Sequence, residues 1–212
     1  MFAAALVSLA LARAQAAPAA QSGQFDYYLL ALSWSPTYCA SGGAARREPL
    51  QCGQPRGFIV HGLWPEYENG WPSHCASSQP RDVALDVQRR QLDLTPSAGL
   101  IVHEWQTHGL CTGLAQNAYF DEIRALRAKV RLPLAFTGAP SAPQTTTAAA
   151  LRAAFVKANS GLPPQGLAVV CDKGRLEEVR LCFSKAGAFR ACPADIRDTC
   201  QGAVRAPASG TR

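Results

Sequence analysis

Four histidines stand in the chain, His61, His74, His103 and His108, and two of them share the segment HEWQTHGLC that begins at His103. A zinc-binding helix needs its histidines four apart, about 40° around the axis, so that both reach one metal. His103 and His108 are five apart, which turns them roughly 140° from each other on a regular helix. The pair that does share a face is Glu104 with His108, at i and i+4, and Cys111 continues the same stripe. A carboxylate beside an imidazole, with further histidines at hand, is the equipment of general acid–base catalysis near neutral pH. Alone, such a pair reads as an exposed helix face. The added signal is His61, which sits in the apolar segment FIVHGLWP at the expected tip of a strand, beside a turn and placed to border a cleft.

These side chains need elements to hold them. FDYYLLALSWSPTYC, from Phe25 to Cys39, has apolar residues in both alternating sets and reads as a strand covered on both faces, ended by Pro36. Gly57 to Pro65 forms a shorter strand, and the loop between them is expected to be closed by Cys39 with Cys52. Asp82 to Leu92 is helical in pattern. Thr95-Pro96 then predicts an N-cap with proline at the first helical position, opening a helix through LIVHEWQTHGLC that Gly109 or Gly113 ends. Tyr119, Ile123, Leu126 and Val130 fall at helical spacing, Phe136 to Gln144 reads as a loop, and Thr145 to Asn159 as an Ala-rich helix ended by Gly161. GLAVVCD and RLEEVRLCF flank Lys173-Gly174 as an antiparallel hairpin. The tail from Ala203 is small and polar and is expected to fray. The fold class is therefore α+β, an antiparallel sheet packed with several helices in a disulfide-stapled single domain.

Composition agrees with one good-sized core: 212 residues, 48% hydrophobic and 17% charged, without a linker long enough to separate two domains. Residues 1–16 read as a secretory signal peptide, an apolar run with cleavage after Ala14 or Ala16, leaving 17–212 as the domain. The run is too short to span a bilayer, so the mature form is expected to have no membrane anchor. Export implies oxidising conditions, in which the eight cysteines, Cys39, Cys52, Cys75, Cys111, Cys171, Cys182, Cys192 and Cys200, make four disulfides by default. None has the tight C-x-x-C spacing of a zinc ribbon, and no cofactor is expected. A formal net charge of +6 suits a polyanionic partner such as RNA, although many basic exported proteins bind no nucleic acid.

FIVHGLWP and HEWQTHGLC resemble the two active-site segments of the ribonuclease T2 family, exported transferase-type ribonucleases that include the plant self-incompatibility ribonucleases. FDYYLLALSWSPTYC is similar to that family's first strand, and the hairpin with Cys171, Cys182, Cys192-Pro193 and Cys200 to its C-terminal half. The resemblance spans nearly the whole mature chain. It implies a metal-independent endoribonuclease that cleaves single-stranded RNA to a 2′,3′-cyclic phosphate, with His61 as general acid, His108 as general base and Glu104 assisting at the phosphate. It further implies phosphate binding by His103, base stacking by Trp64 and a base contact by Glu66. Tyr67 and Trp71 are candidates by proximity alone. Stacking tolerates every base, so little base specificity is expected. Trp105, pointing away from the Glu104 stripe, reads as core and His74 as surface.

The family also implies the disulfides Cys75–Cys111, Cys182–Cys192 and Cys171–Cys200, a connectivity that sequence spacing leaves open. A periplasmic or secreted monomer is the corresponding expectation. Two positions depart from the family pattern: Thr107 stands where lysine is common, and Leu110 where threonine or serine is usual. Leu100-Ile101 also replaces residues that are often aromatic. These changes bear on turnover and substrate preference, and they leave open a second class, a non-enzymatic RNA-binding or interaction protein of the same fold.

Overall fold

A computed structural model describes residues 20–40 and 48–209. The expected signal peptide and its cleavage sites lie outside the described residues. Strand β1 (Tyr27–Trp34) runs through the middle of the molecule, antiparallel to β2 (Phe58–Glu66) on one side and to β5 (Arg175–Ser184) on the other. Its two faces are both buried, as the double apolar pattern requires: Tyr28, Leu30, Leu32 and Trp34 enter the large core, while Tyr27 and Leu29 enter a smaller one with Cys182. Strand β4 (Leu167–Asp172) pairs with β5 as the expected hairpin. Lys173 (φ 49°) and Gly174 (φ 74°) both take left-handed backbone, the geometry that a two-residue hairpin turn demands.

Pro36 ends β1 early, and Ser35–Ala40 is a short helix α1 rather than strand. A second short helix, α2 (Pro49–Cys52), brings Cys52 to Cys39. Helix α3 (Leu85–Gln91) lies within the expected span. Helix α4 (Ala98–Thr107) starts later than Thr95-Pro96 suggests, because Ser97 is the cap: its Oγ accepts the Leu100 N–H at 3.1 Å. Thr95 instead donates its hydroxyl to the Val60 carbonyl at 2.9 Å, fastening the segment before α4 to β2. A 3-10 turn (Gly109–Cys111) follows, then α5 (Gln116–Lys129), which buries Tyr119, Ile123 and Leu126 at the expected spacing.

The last two elements correct the sequence expectations together. Thr145 to Thr147, expected to be helical, instead form β3 with Gln144 from the expected loop (Gln144–Thr147), after which Thr147 caps α6 (Ala148–Ala158). The tail does not fray: β6 (Ala203–Ala206) pairs antiparallel with β3 and meets β5 in a single parallel pair at Arg175 and Arg205. Val204 and Ala206 are fully buried, so two small side chains at alternating positions suffice to seat the strand. Among the described residues the six strands make one sheet, with β4 beside β5. The disulfides are Cys39–Cys52, which closes the loop as expected, and Cys75–Cys111, Cys171–Cys200 and Cys182–Cys192, the three pairs that the resemblance implied. Among the described residues no helix is long and apolar enough to cross a membrane.

Candidate active site

His61 is not at the tip of β2 but within it, at an irregularity. Leu30 faces Leu63 and Ala31 faces Gly62, whereas Leu32 faces Val60; His61 is the extra residue, opposite no partner. Such a bulge kinks the strand and re-aims a side chain. It also restores the alternation beyond it, so that Leu63 enters the large core and Trp64 the opposite face.

Glu104 and His108 come from α4, whose Ile101 and Trp105 are buried in the large core. Trp105 also donates its indole N–H to the Pro80 carbonyl at 2.8 Å, which fixes the helix's rotation. Glu104 is therefore turned toward β2 and is only 2% exposed. Its Oε2 accepts the Trp64 indole N–H at 2.7 Å, and its Oε1 lies 3.4 Å from His61 Nε2. Gly62 makes room for this carboxylate, since a methyl group there would overlap it. His108 ends α4 as its C-cap, with its N–H still bonded to the Glu104 carbonyl, and stacks on Trp64 at 5.3 Å between ring centroids. Trp64 thus touches His108 with its face, His61 at 5.4 Å edge to face, and Glu104 with its N–H. The Cys75–Cys111 disulfide pins the chain just beyond His108, and the His74 N–H caps the Thr107 carbonyl at 3.2 Å.

The two imidazoles differ in charge. Burial alone disfavours a charged His61 ring, but hydrogen bonds and the charges of Glu104 and Glu178 outweigh it and hold the ring's pKa at about 10. For His108, burial dominates over the attraction of Glu104, and the neighbouring His103, His61 and His74 push the same way, to about 4. His108 Nδ1 is buried without a hydrogen-bond partner among the described residues. At neutral pH one ring is loaded with a proton and the other is free to take one.

Two of the cavities that border this centre hold the remaining candidates. One, of about 270 Å³, is lined by His61, His103, Ser97, Leu100 and Gln51 among others. The other, of about 300 Å³, lies between Trp64, His108, Glu66, Trp71, Arg180 and Asp195. Burial and the nearby charge of Asp195 push the Glu66 carboxyl up to about 8. Trp71 is 64% exposed, with its ring open to solvent. Tyr67 stands apart, half-buried against the large core and lining neither cavity. The sequence reading passed over Glu178 and Arg180 on β5. Glu178 is bonded to His61 Nδ1, and Arg180 lies over the Trp64 ring, 5.1 Å from its centre. Their alternation with Val179 and Leu181 was the available signal, but in a hairpin strand it reads equally as a solvent face.

The ribonuclease T2 family model matches residues 25–192. A ribonuclease of Aeromonas hydrophila is 43% identical over 51% of this chain and 48% of its own length, so the chain spans about half of that relative. Two solved structures share the fold. An RNase-related protein from Calystegia sepium has a TM-score of 0.71 at 25% identity, over 88% of this chain and 99% of its own. RNase NT, solved in complex with 5′-AMP, has a TM-score of 0.62 at 28% identity, over 80% of this chain and 91% of its own. With both histidine segments inside the matched region, the chain belongs to the ribonuclease T2 family.

Proposed function

We propose that the chain is an endoribonuclease that cleaves RNA through the ribose 2′-hydroxyl, using its own side chains and no metal. The observation that supports this reading is the convergence of two imidazoles and the Trp64 indole on one buried carboxylate, in surroundings that push the two ring pKa values in opposite directions. His108, neutral down to about pH 4, takes the 2′-hydroxyl proton as the oxygen attacks the adjacent phosphorus. His61, protonated up to about pH 10, gives its Nε2 proton to the departing 5′-oxygen. One P–O bond forms and one breaks, leaving a 2′,3′-cyclic phosphate and a free 5′-hydroxyl. Glu104 orients Trp64 and His61 and assists at the phosphate, where charge develops. His103, exposed on the wall of the smaller cavity, binds a phosphate oxygen. The larger cavity takes the base, with Trp64 and Trp71 for stacking and Glu66 for a polar contact, a mode with little base specificity.

Four disulfides fit an oxidising compartment, the periplasm or the exterior, where the chain acts as a monomer on single-stranded RNA. The test is incubation with RNA and with DNA in the presence of EDTA, followed by product analysis. Cyclic phosphate ends from RNA and intact DNA are the expected result, because deoxyribose lacks the nucleophile. Binding without cleavage would instead identify an interaction protein of the same fold, and cleavage blocked by EDTA a metal enzyme. His61→Ala and His108→Ala should each lower turnover by at least about 10²-fold, the scale of one acid or base.

A further inference from the structure

Strand β5 lies between β1 and β4, yet two of its charged residues, Glu178 and Arg180, share one face where both neighbours pair with it. Val179, Leu181 and Phe183 point into the large core, which leaves Glu178 and Arg180 on the opposite face with Cys182. Glu178 is only 4% exposed. A buried carboxylate is costly even when paired, and an apolar side chain would serve the sheet as well or better.

The contacts of Glu178 all lead to the candidate site. Its Oε1 accepts hydrogen bonds from Ser33 Oγ, at 3.0 Å, and from His61 Nδ1. Its Oε2 accepts from Arg180 Nε at 2.9 Å, and the same guanidinium lies over Trp64. Three donors therefore fix the carboxylate, and through it one edge of the His61 ring. The other ring nitrogen is held more loosely, 3.4 Å from Glu104, a contact that a substrate oxygen can replace.

We propose that Glu178 is the positioning residue of His61, keeping Nδ1 protonated and turning Nε2 toward the cleft. The proposal rests on the reading of His61 as the general acid. When Nε2 gives its proton to the leaving oxygen, the ring stays as the single neutral tautomer with Nδ1–H on Glu178. Glu178 itself touches no reacting atom. The charged groups facing the ring are Glu104 and His103 from α4, His108 from its cap, and Glu178 from β5 with Arg180 behind it. Glu48 and Tyr38 line the cavity that His61 shares with His103, and Asp172, Arg175 and Glu177 stand across the adjoining cleft. Among the described residues only Glu104 and Glu178 contact His61 as ion-pair partners, so removing one leaves the ring's charge dependent on the other.

Glu178→Gln is the discriminating variant. An amide has one acceptor oxygen, so its NH2 group must face either His61 Nδ1 or Arg180 Nε, both of which donate. The alkaline limb of kcat/KM on a ribodinucleotide should move down by about one to two pH units, the effect of losing a contacting opposite charge. Turnover on the plateau should fall roughly tenfold or more, since the acid remains but its orientation is lost. Glu178→Asp should keep the alkaline limb while losing part of the turnover. Histidine NMR of the unsubstituted protein supplies a reading that does not depend on how the variants fold: His61 should stay doubly protonated at pH 8, with a slowly exchanging Nδ1 proton. An ordinary His61 titration in the native protein overturns the proposal, as does a Glu178→Gln variant that melts lower but keeps both pH limbs. Full activity in His61→Ala would instead remove the reading of His61 as the acid, while the NMR titration still reports on the pair.

Discussion

Gly62 stands where β2, Trp64 and Glu104 converge, and replacing it with alanine tests that convergence without touching a titratable group. A Cβ at this position would overlap Oε2 of Glu104, lie 2.6 Å from its carboxyl carbon and 2.7 Å from the Trp64 indole nitrogen. Neither neighbour is the free end of a flexible chain: Glu104 is buried, and Trp64 is stacked on His108. Inserting one methyl into such packing costs about 1–3 kcal/mol. Parting the Trp64–Glu104 hydrogen bond, which involves a charged acceptor, adds about 1.5–3 kcal/mol. The expected loss is on the order of 2.5–6 kcal/mol, a large share of a domain's usual stability. If the fold yields less, the site yields more, because relief requires Glu104 to move away from His61. The assay is denaturant unfolding followed by tryptophan fluorescence, alongside kcat/KM on a ribodinucleotide. Gly99→Ala is the control: it adds the same methyl within α4, where the nearest atom beyond the helix backbone is Ser97 Oγ at 3.9 Å. A Gly62→Ala protein with unchanged kcat/KM and stability within about 0.5 kcal/mol of the parent, as for an inert surface change, would refute the packing argument.

The pH profile of kcat/KM should be a broad plateau, falling as pH drops through about 4, where His108 becomes protonated, and as it rises through about 10, where His61 loses its proton. A maximum confined to one narrow range near pH 6.5 would contradict that pair of assignments. Thr107→Lys places a cation at the last residue of α4 and should raise turnover with KM less affected, because the added charge acts on the transition state. Unchanged turnover in steady-state kinetics would mean that the charge is already supplied, with Arg180, over the Trp64 ring, one candidate. Replacing Cys75 and Cys111 together opens a 36-residue separation and should lower stability by roughly 4 kcal/mol on the chain-entropy account. Turnover should fall further than on loss of Cys39–Cys52, and equal effects of the two removals would show that the pin beside His108 is not needed.

Much of this was readable from residue types and spacing. The i, i+4 relation of Glu104 and His108 survives in the structure even though His108 is the cap rather than a helical residue. The hairpin followed from Lys173-Gly174, and the double apolar pattern of β1 correctly implied cover on both faces. Long-range facts were less legible. Thr95 and Ser97 are both good caps in isolation, and what chose between them was a hydrogen bond from Thr95 to a strand 35 residues away. The β6 strand has too few apolar residues to announce itself, and it forms because β3 lies ready to pair with it. Glu178 and Arg180 looked like a wet face because nothing local says that the neighbouring strand brings His61 and Trp64 over them.

The bulge in β2 has a consequence for how the site relates to its scaffold. Residue 61 is supernumerary to the ladder: with it removed, Val60 and Gly62 would follow each other in regular alternation, and Leu63 and Trp64 would keep their present partners on β1. The sheet does not need the residue that the cleft needs. A second insertion beside it would be a different matter, since one more step exchanges the faces of Leu63 and Trp64 and turns the core side chain outward. A plain antiparallel ladder and an acid-bearing one differ here by a single codon, so this arm of the chemistry is separable from the architecture that carries it.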